Sequence, residues 1–245
     1  MVIRQPAEGY RVAIEPVLLA AALPAHEGEL ALELGSGVGA ASLCVARRLE
    51  GCRAVGLELD DEATALARWN ARKNGLADRV EFVTGDIADP PAPIVPGTYD
   101  HVFANPPFLD ERRAELRVAS TRTKATVEGG VDLAAWIDAM LELARPRGRL
   151  TIVHRADRLT EVLGLLSARA GAVEVWPVWP KADAPASRII VRARRGVATP
   201  LALMPGLVLH RSDGRYTAAA EAILRGGLSL EQALSEYPHG EEESD

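Results

Sequence analysis

From about residue 30 the chain alternates short apolar runs with stretches whose apolar residues recur every three to four positions. That alternation predicts strands joined by helices that cover both faces of a mainly parallel sheet. Residues 30–34 (LALEL) predict the first strand, and 38–49 (VGAASLCVARRL) a helix with one apolar face. Residues 53–59 (RAVGLEL) predict the second strand, followed over 61–75 by a helix closed by Asn74-Gly75. Residues 79–86 predict the third strand, and the four prolines of IADPPAPIVPGT preclude regular structure after it. Tyr99–Ala104 predicts the fourth strand. Beyond it come a helix over 131–145, a strand over 148–154, a helix over 157–170 and strands over 173–179 and 188–194.

A short helix over 13–23 precedes this series. An apolar strand-like pair, a turn at Ser212-Asp213-Gly214 and a further helix follow it within 200–227. The pattern therefore predicts one α/β domain over 1–227, with a doubly wound, mainly parallel, seven-stranded sheet at its core (about 28–195). Segments 1–27 and 196–227 are expected to pack on that core, and 228–245 to form a flexible acidic tail.

Composition adds little until it is read locally. With 48% hydrophobic and 25% charged residues the chain has an ordinary globular balance, and with aromatics at 4% its core is built from Ala, Val, Leu and Ile. Arg4, Glu8, Arg11 and Glu15 break up the beginning, so no secretory signal is expected. The uncharged stretch Pro16–Ala25 is shorter than the ~20 residues a membrane span needs. Cys44 and Cys52 have no metal-ligand spacing; they read as reduced thiols of a cytoplasmic protein with no metal. The net charge of −6 opposes generic nucleic-acid binding, but four acids sit in the last five residues. Arg112, Arg113, Arg117, Arg122 and Lys124 cluster with Glu115 as the single acid among them, which keeps a nucleic-acid partner open.

The candidate chemistry lies at the ends of the predicted strands. The first runs into ELGSGVG, where Gly35, Gly37 and Gly39 let the backbone turn tightly and approach a ligand at a helix start. Glu58, at the tip of the second strand, can accept hydrogen bonds from both hydroxyls of a ribose. Both features also fit a nicotinamide enzyme, because Gly35-Ser36-Gly37-Val38-Gly39-Ala40 satisfies G-x-G-x-x-A. Two further features favour the other nucleotide cofactor. At the end of the third strand, Asp86 can accept from an adenine amino group while Ile87 packs on the ring, although a turn role suits Asp86 equally. At the end of the fourth stands Asn105-Pro106-Pro107-Phe108, which has no role in hydride transfer.

ELGSGVG, GLELD, TGD and NPPF, in this order and spacing, resemble the class I S-adenosylmethionine-dependent methyltransferases that act on an amino nitrogen conjugated to a ring or carbonyl. QPAEGYRVAIEPVLLAA (5–21), HRADRL (154–159) and PLALMPGLVLHRSDGRYT (200–217) resemble stretches of the bacterial tRNA adenine-N6 methyltransferase family that modifies valine tRNA beside the anticodon. The resemblance implies S-adenosyl-L-methionine as cofactor and tRNA as partner. It implies Glu33, Gly35, Ser36, Gly37, Gly39, Glu58, Leu59, Asp86, Ile87 and Asn105 around the cofactor, and Asn105, Pro106, Pro107 and Phe108 at the reacting amine. It also implies Tyr10, Arg11 and Glu15 near the pocket, while Arg112, Arg113 and Arg117 could hold phosphates. The sequence carries NPPF where NPPY is commoner, which keeps stacking and loses a hydroxyl. Guanine N2 of ribosomal RNA and a glutamine amide of a translation factor are alternative targets for the same motif, and a nicotinamide oxidoreductase or a non-catalytic nucleotide sensor is the alternative of a different class.

Overall fold

The computed structural model describes residues 1–7, 11–107 and 132–238. Within them the strands are β1 (Leu30–Leu34), β2 (Arg53–Glu58), β3 (Val80–Thr84), β4 (Tyr99–Ala104), β5 (Ala144–Arg155), β6 (Ala170–Trp179), β7 (Arg188–Arg195), β8 (Ala202–Leu203) and β9 (Leu207–Val208). The helices are α1 (Glu15–Ala21), α2 (Ala40–Arg48), α3 (Asp61–Lys73), α4 (Leu133–Leu143), α5 (Leu159–Leu166), α6 (Ala218–Leu224) and α7 (Leu230–Glu236).

One sheet runs in the order β3-β2-β1-β4-β5-β7-β6-β8, and β9 also pairs with β6. β3, β2, β1, β4 and β5 are mutually parallel, whereas β7 is antiparallel to both β5 and β6. The order reverses between β1 and β4, which opens a crevice at the carboxyl ends of the strands. Seven strands make the sheet expected from the apolar pattern, and β8 and β9 extend it to nine because the pair in 200–208 adds to the edge of β6.

Local sequence explains where the helices begin. The Asp60 side chain accepts from Glu62 N and Ala63 N and caps α3, and Thr217 caps α6 through Ala220 N. Such caps contribute ~1 kcal/mol each. α5 is shorter than the 157–170 expected: Ala156–Arg158 form a 3₁₀ turn, and the chain is already strand β6 by Ala170.

α4 and α5 cover one face over Leu32, Leu34, Leu57, Val102 and Ile152. α1, α2, α6 and α7 bury the other, around Leu18, Leu19, Leu23, Phe103 and Val153. The expected flexible tail of 228–245 is, in part, packed structure. Ser229 and Gln232 form a reciprocal capping box that starts α7, and Leu230 and Ala233 are buried. The buried Arg192 guanidinium ties this helix down, pairing with Glu231 and Glu174 and donating to Ala22 O at 3.2 Å. Residues 239–245 lie outside the described part.

Candidate active site

The loop after β1 takes the backbone that its glycines permit: Gly35, Gly37 and Gly39 have φ of +62°, +53° and +83°. What surrounds them differs. A Cβ on Gly35 would lie 2.5 Å from the Trp136 ring, and one on Gly39 would overlap Phe82. One on Gly37 would meet no atom within 4 Å. The loop is thus wedged at both ends by aromatic rings and open in the middle.

Carboxylates hold the wedge. Glu58, at the tip of β2, accepts from Gly37 N at 2.7 Å through one oxygen and from Asp60 N at 3.0 Å through the other. Each oxygen keeps a second lone pair for a ligand. Glu33 has partners of another kind, accepting from Ser42 N at 2.8 Å and Ser42 Oγ at 2.6 Å. Burial pushes its pKa up to about 8, with the Glu58 charge adding to the rise. These partners make Glu33 a brace between β1 and α2.

Asn70, on the buried face of α3, fixes the loop from behind. Its Nδ2 donates to Val38 O at 2.9 Å and to Arg4 O at 2.9 Å, while its Oδ1 accepts from Arg4 N at 2.7 Å. One turn later Asn74 repeats the exchange with Val2 N and Val2 O. The first residues are thereby laid along α3 and joined to the glycine loop through a single side chain. Gln5 Oε1 then accepts from Val12 N at 2.9 Å.

The other expected residues fall on the same edge with varied surroundings. Leu59 is 66% exposed directly after Glu58, whereas Ile87 is buried among Leu57, Ile94 and Trp136. Asp86 is exposed and accepts from Ala88 N at 2.9 Å, so it realises its turn reading while its second oxygen keeps both lone pairs. Gly85 N donates to Glu58 O at 2.9 Å and keeps the tips of β2 and β3 together. Asn105 follows β4 beside the tip of β1, where Leu34 pairs with Ala104. Its Oδ1 is buried and has no hydrogen-bond partner among the described residues, and Ser36 Oγ and Trp136 Nε1 share that condition. Pro106 is buried and Pro107 exposed. Leaving a buried donor or acceptor unpaired costs ~1–3 kcal/mol, so an unpaired carbonyl, hydroxyl and indole N–H on neighbouring residues mark a place built to receive polar groups.

Glu15 opens α1 and is paired with Arg188 at the start of β7, at 3.3 Å. Arg11 is exposed. Tyr10, Phe108, Arg112, Arg113 and Arg117, with Arg122 and Lys124, lie outside the described residues. The pattern of apolar positions had not singled out Trp136, Phe82, Ser42 or Asn70. The available signal for Asn70 was an amide on the same helical stripe as Thr64, Ala67 and Ala71.

Residues 12–128 match the family model described as "Methyltransferase small domain". Among curated proteins, the chain is 32% identical over 163 residues to a tRNA1(Val) (adenine(37)-N6)-methyltransferase of Porphyromonas gingivalis, covering 62% of this chain and 61% of that relative's length. A protein of the same name from Aeromonas hydrophila is 29% identical over 84% of this chain and 85% of its own. Among solved structures, a predicted O-methyltransferase of Agrobacterium tumefaciens superposes with a TM-score of 0.72 at 21% identity, covering 87% of this chain and 97% of that one.

Proposed function

We propose that this chain, which has the fold of the S-adenosylmethionine-dependent methyltransferases, forms N6-methyladenosine in tRNA. The observation that carries the reading is the buried Oδ1 of Asn105, unpaired among the described residues, directly after Ala104, which pairs with Leu34 at the start of the glycine loop. The open space at Gly37, with Glu58 and Leu59 at its side, fits a nucleoside cofactor. S-adenosyl-L-methionine, when bound, supplies an electrophilic methyl group on a sulfonium. Gly35, Ser36 and Gly37 would hold its amino-acid part and Glu58 its ribose. The exposed second oxygen of Asp86 would take the adenine amino group.

An exocyclic amine on adenine is a weak nucleophile because its lone pair is delocalised into the ring. The Asn105 side-chain carbonyl and the Pro106 main-chain carbonyl provide two acceptors, one for each amino hydrogen. Drawing both hydrogens out of the ring plane favours a pyramidal nitrogen and directs its lone pair at the methyl. The same dipoles stabilise the positive charge growing on nitrogen, and the prolines keep them preorganised. With the amine held by Asn105 and Pro106, the methyl would pass from the sulfonium to nitrogen, S-adenosylhomocysteine would be left, and the alkylated nitrogen would lose its proton to water. The adenine must be unpaired or turned out of its stack to enter, and the enzyme would work where tRNA is processed, in the cytoplasm.

The test is incubation with methyl-labelled cofactor and total tRNA, followed by nucleoside analysis. Label in N6-methyladenosine is expected. Label confined to methylguanosine, or to a protein band that resists ribonuclease, would move the chemistry to a different amine.

A further inference from the structure

We infer that the turn between β9 and α6, residues 210–216, docks the phosphate backbone of the RNA substrate some distance from the methylated base. This rests on RNA being the substrate, as proposed above. The turn stands on the same edge as Asn105. β4, β5 and β6 all point that way, with Ala104 level with Ile152, Arg155 level with Arg188, and Arg188 level with Val178. β9 continues the series beside β6, Leu207 facing Val178 and Val208 facing Trp179. β6 and β9 therefore rise beyond the tip of β4 as a wall. Counting ~4.8 Å per strand and ~3.3 Å per residue puts the turn roughly 25 Å from Asn105, a span of several nucleotides.

The turn is held rigidly. Leu209 N and His210 N donate to Trp179 O and Pro180 O, at 2.8 and 3.0 Å, and Arg211 N donates to Arg215 O at 2.8 Å. His210 bridges to Tyr216, and their rings stack with centroids 4.7 Å apart. Asp213 accepts from Arg215 N, and Gly214 takes φ of +88° to close the loop. Lys181 reaches over from the end of β6 to donate to Ser212 O at 3.3 Å.

On this frame Lys181, Arg211 and Arg215 are exposed. Arg215 pairs with Asp213, but neither Lys181 nor Arg211 forms an ion pair among the described residues. Asp183 and Asp213 are the acids next to them in sequence. In a chain of net charge −6, a fixed turn whose three cations outnumber its two neighbouring acids, on the edge that carries Asn105, is suited to phosphate oxygens.

The experiment compares wild type with the double variant Lys181→Ala/Arg211→Ala on a tRNA transcript at several salt concentrations. KM for tRNA is expected to rise about tenfold, and the slope of log KM against log salt to shrink by about 0.7–0.9 per lost phosphate contact. Turnover at saturating tRNA, melting temperature and S-adenosylhomocysteine affinity should stay unchanged, and Arg211→Lys should retain most of the affinity. An active wild type whose double variant keeps both KM and salt slope overturns the docking role alone. A wild type that binds S-adenosylhomocysteine yet neither binds nor methylates tRNA overturns the substrate reading, and the docking role with it.

Discussion

The Glu58 carboxylate accepts the Gly37 amide at 2.7 Å, so the tip of β2 and the open point of the β1 loop are a single hydrogen-bonded unit. Losing the carboxylate would remove the proposed ribose acceptor and release the loop from the tip of β2 together. Glu58→Ala is expected to weaken S-adenosylhomocysteine binding about tenfold or more, since a hydrogen bond to a charged group contributes ~1.5–3 kcal/mol. Calorimetric titration measures the binding, and amide exchange at Gly37 should quicken in the same variant. An unaltered dissociation constant would exclude Glu58 from the cofactor site.

Asn105→Ala separates chemistry from cofactor binding. Its Oδ1 is buried and unpaired, and the proposed mechanism uses it in the transition state. Turnover should fall about 10²–10³-fold, as when one preorganised hydrogen-bond partner is removed. S-adenosylhomocysteine affinity should remain near wild type. Single-turnover methylation of tRNA reads the first quantity, and undiminished turnover would mean that Asn105 is not the acceptor.

The two neighbouring glycines predict opposite failures. Gly39→Ala drives a methyl into the Phe82 ring and against Ala67 at a φ of +83°, so the folded protein should be lost or severely destabilised. Gly37→Ala meets nothing within 4 Å and bears the left-handed strain alone, of order 1–3 kcal/mol. That variant should still fold, with a lowered melting temperature, and lose cofactor binding because its methyl occupies the ligand's space. Thermal melts beside titrations decide, and retained affinity in Gly37→Ala would move the ligand elsewhere.

Asn70 and Asn74 hold the same strap, yet only Asn70 is buried and also holds Val38. Asn70→Ala leaves the buried Val38 O unpaired and removes the partner of the part-buried Arg4 N and O, a loss of about 2–4 kcal/mol. Asn74→Ala exposes its partners to water and should cost under ~1 kcal/mol. Urea unfolding of the two variants provides the comparison, and equal losses would contradict the link from strap to loop.

Glu33 makes stability depend on pH. Its folded-state pKa is raised from 4.5 to about 8, chiefly by burial. Between those values the unfolded chain has released the proton and the folded chain has kept it, so stability declines as pH rises through this window. Glu33→Gln keeps an oxygen for Ser42 and carries no charge, so its stability curve should be flatter from pH 4.5 to 8. Denaturant midpoints across that range test the sign, and identical slopes in both proteins would refute it.

Most of the sheet was legible in the sequence because its strands hold apolar runs broken by Gly, Pro or a charged helix start; β1 falls on the expected residues 30–34, whereas β5 begins at Ala144, ahead of the expected 148, through the polar stretch ARPRGR. Glu58 and Asn105 were legible for a related reason, since a polar residue ending an apolar run sits at a strand tip. The partners of those tips were not, because they come from distant positions. Nothing near Gly35 in sequence announces that a tryptophan about a hundred residues later wedges it, and nothing in Asn70 names Arg4 and Val38 as its partners. The ordering of 230–236 was hidden by charge: its acids looked solvated, yet Glu231 pairs with an arginine from a central strand.

The contact between Trp136 and Gly35 gives the protein an optical reporter of its own. An indole buried against the first glycine of the loop, with its N–H unpaired among the described residues, should shift its emission when a nucleoside occupies the proposed site. Occupancy is then readable without dye or label, provided the three other tryptophans are replaced.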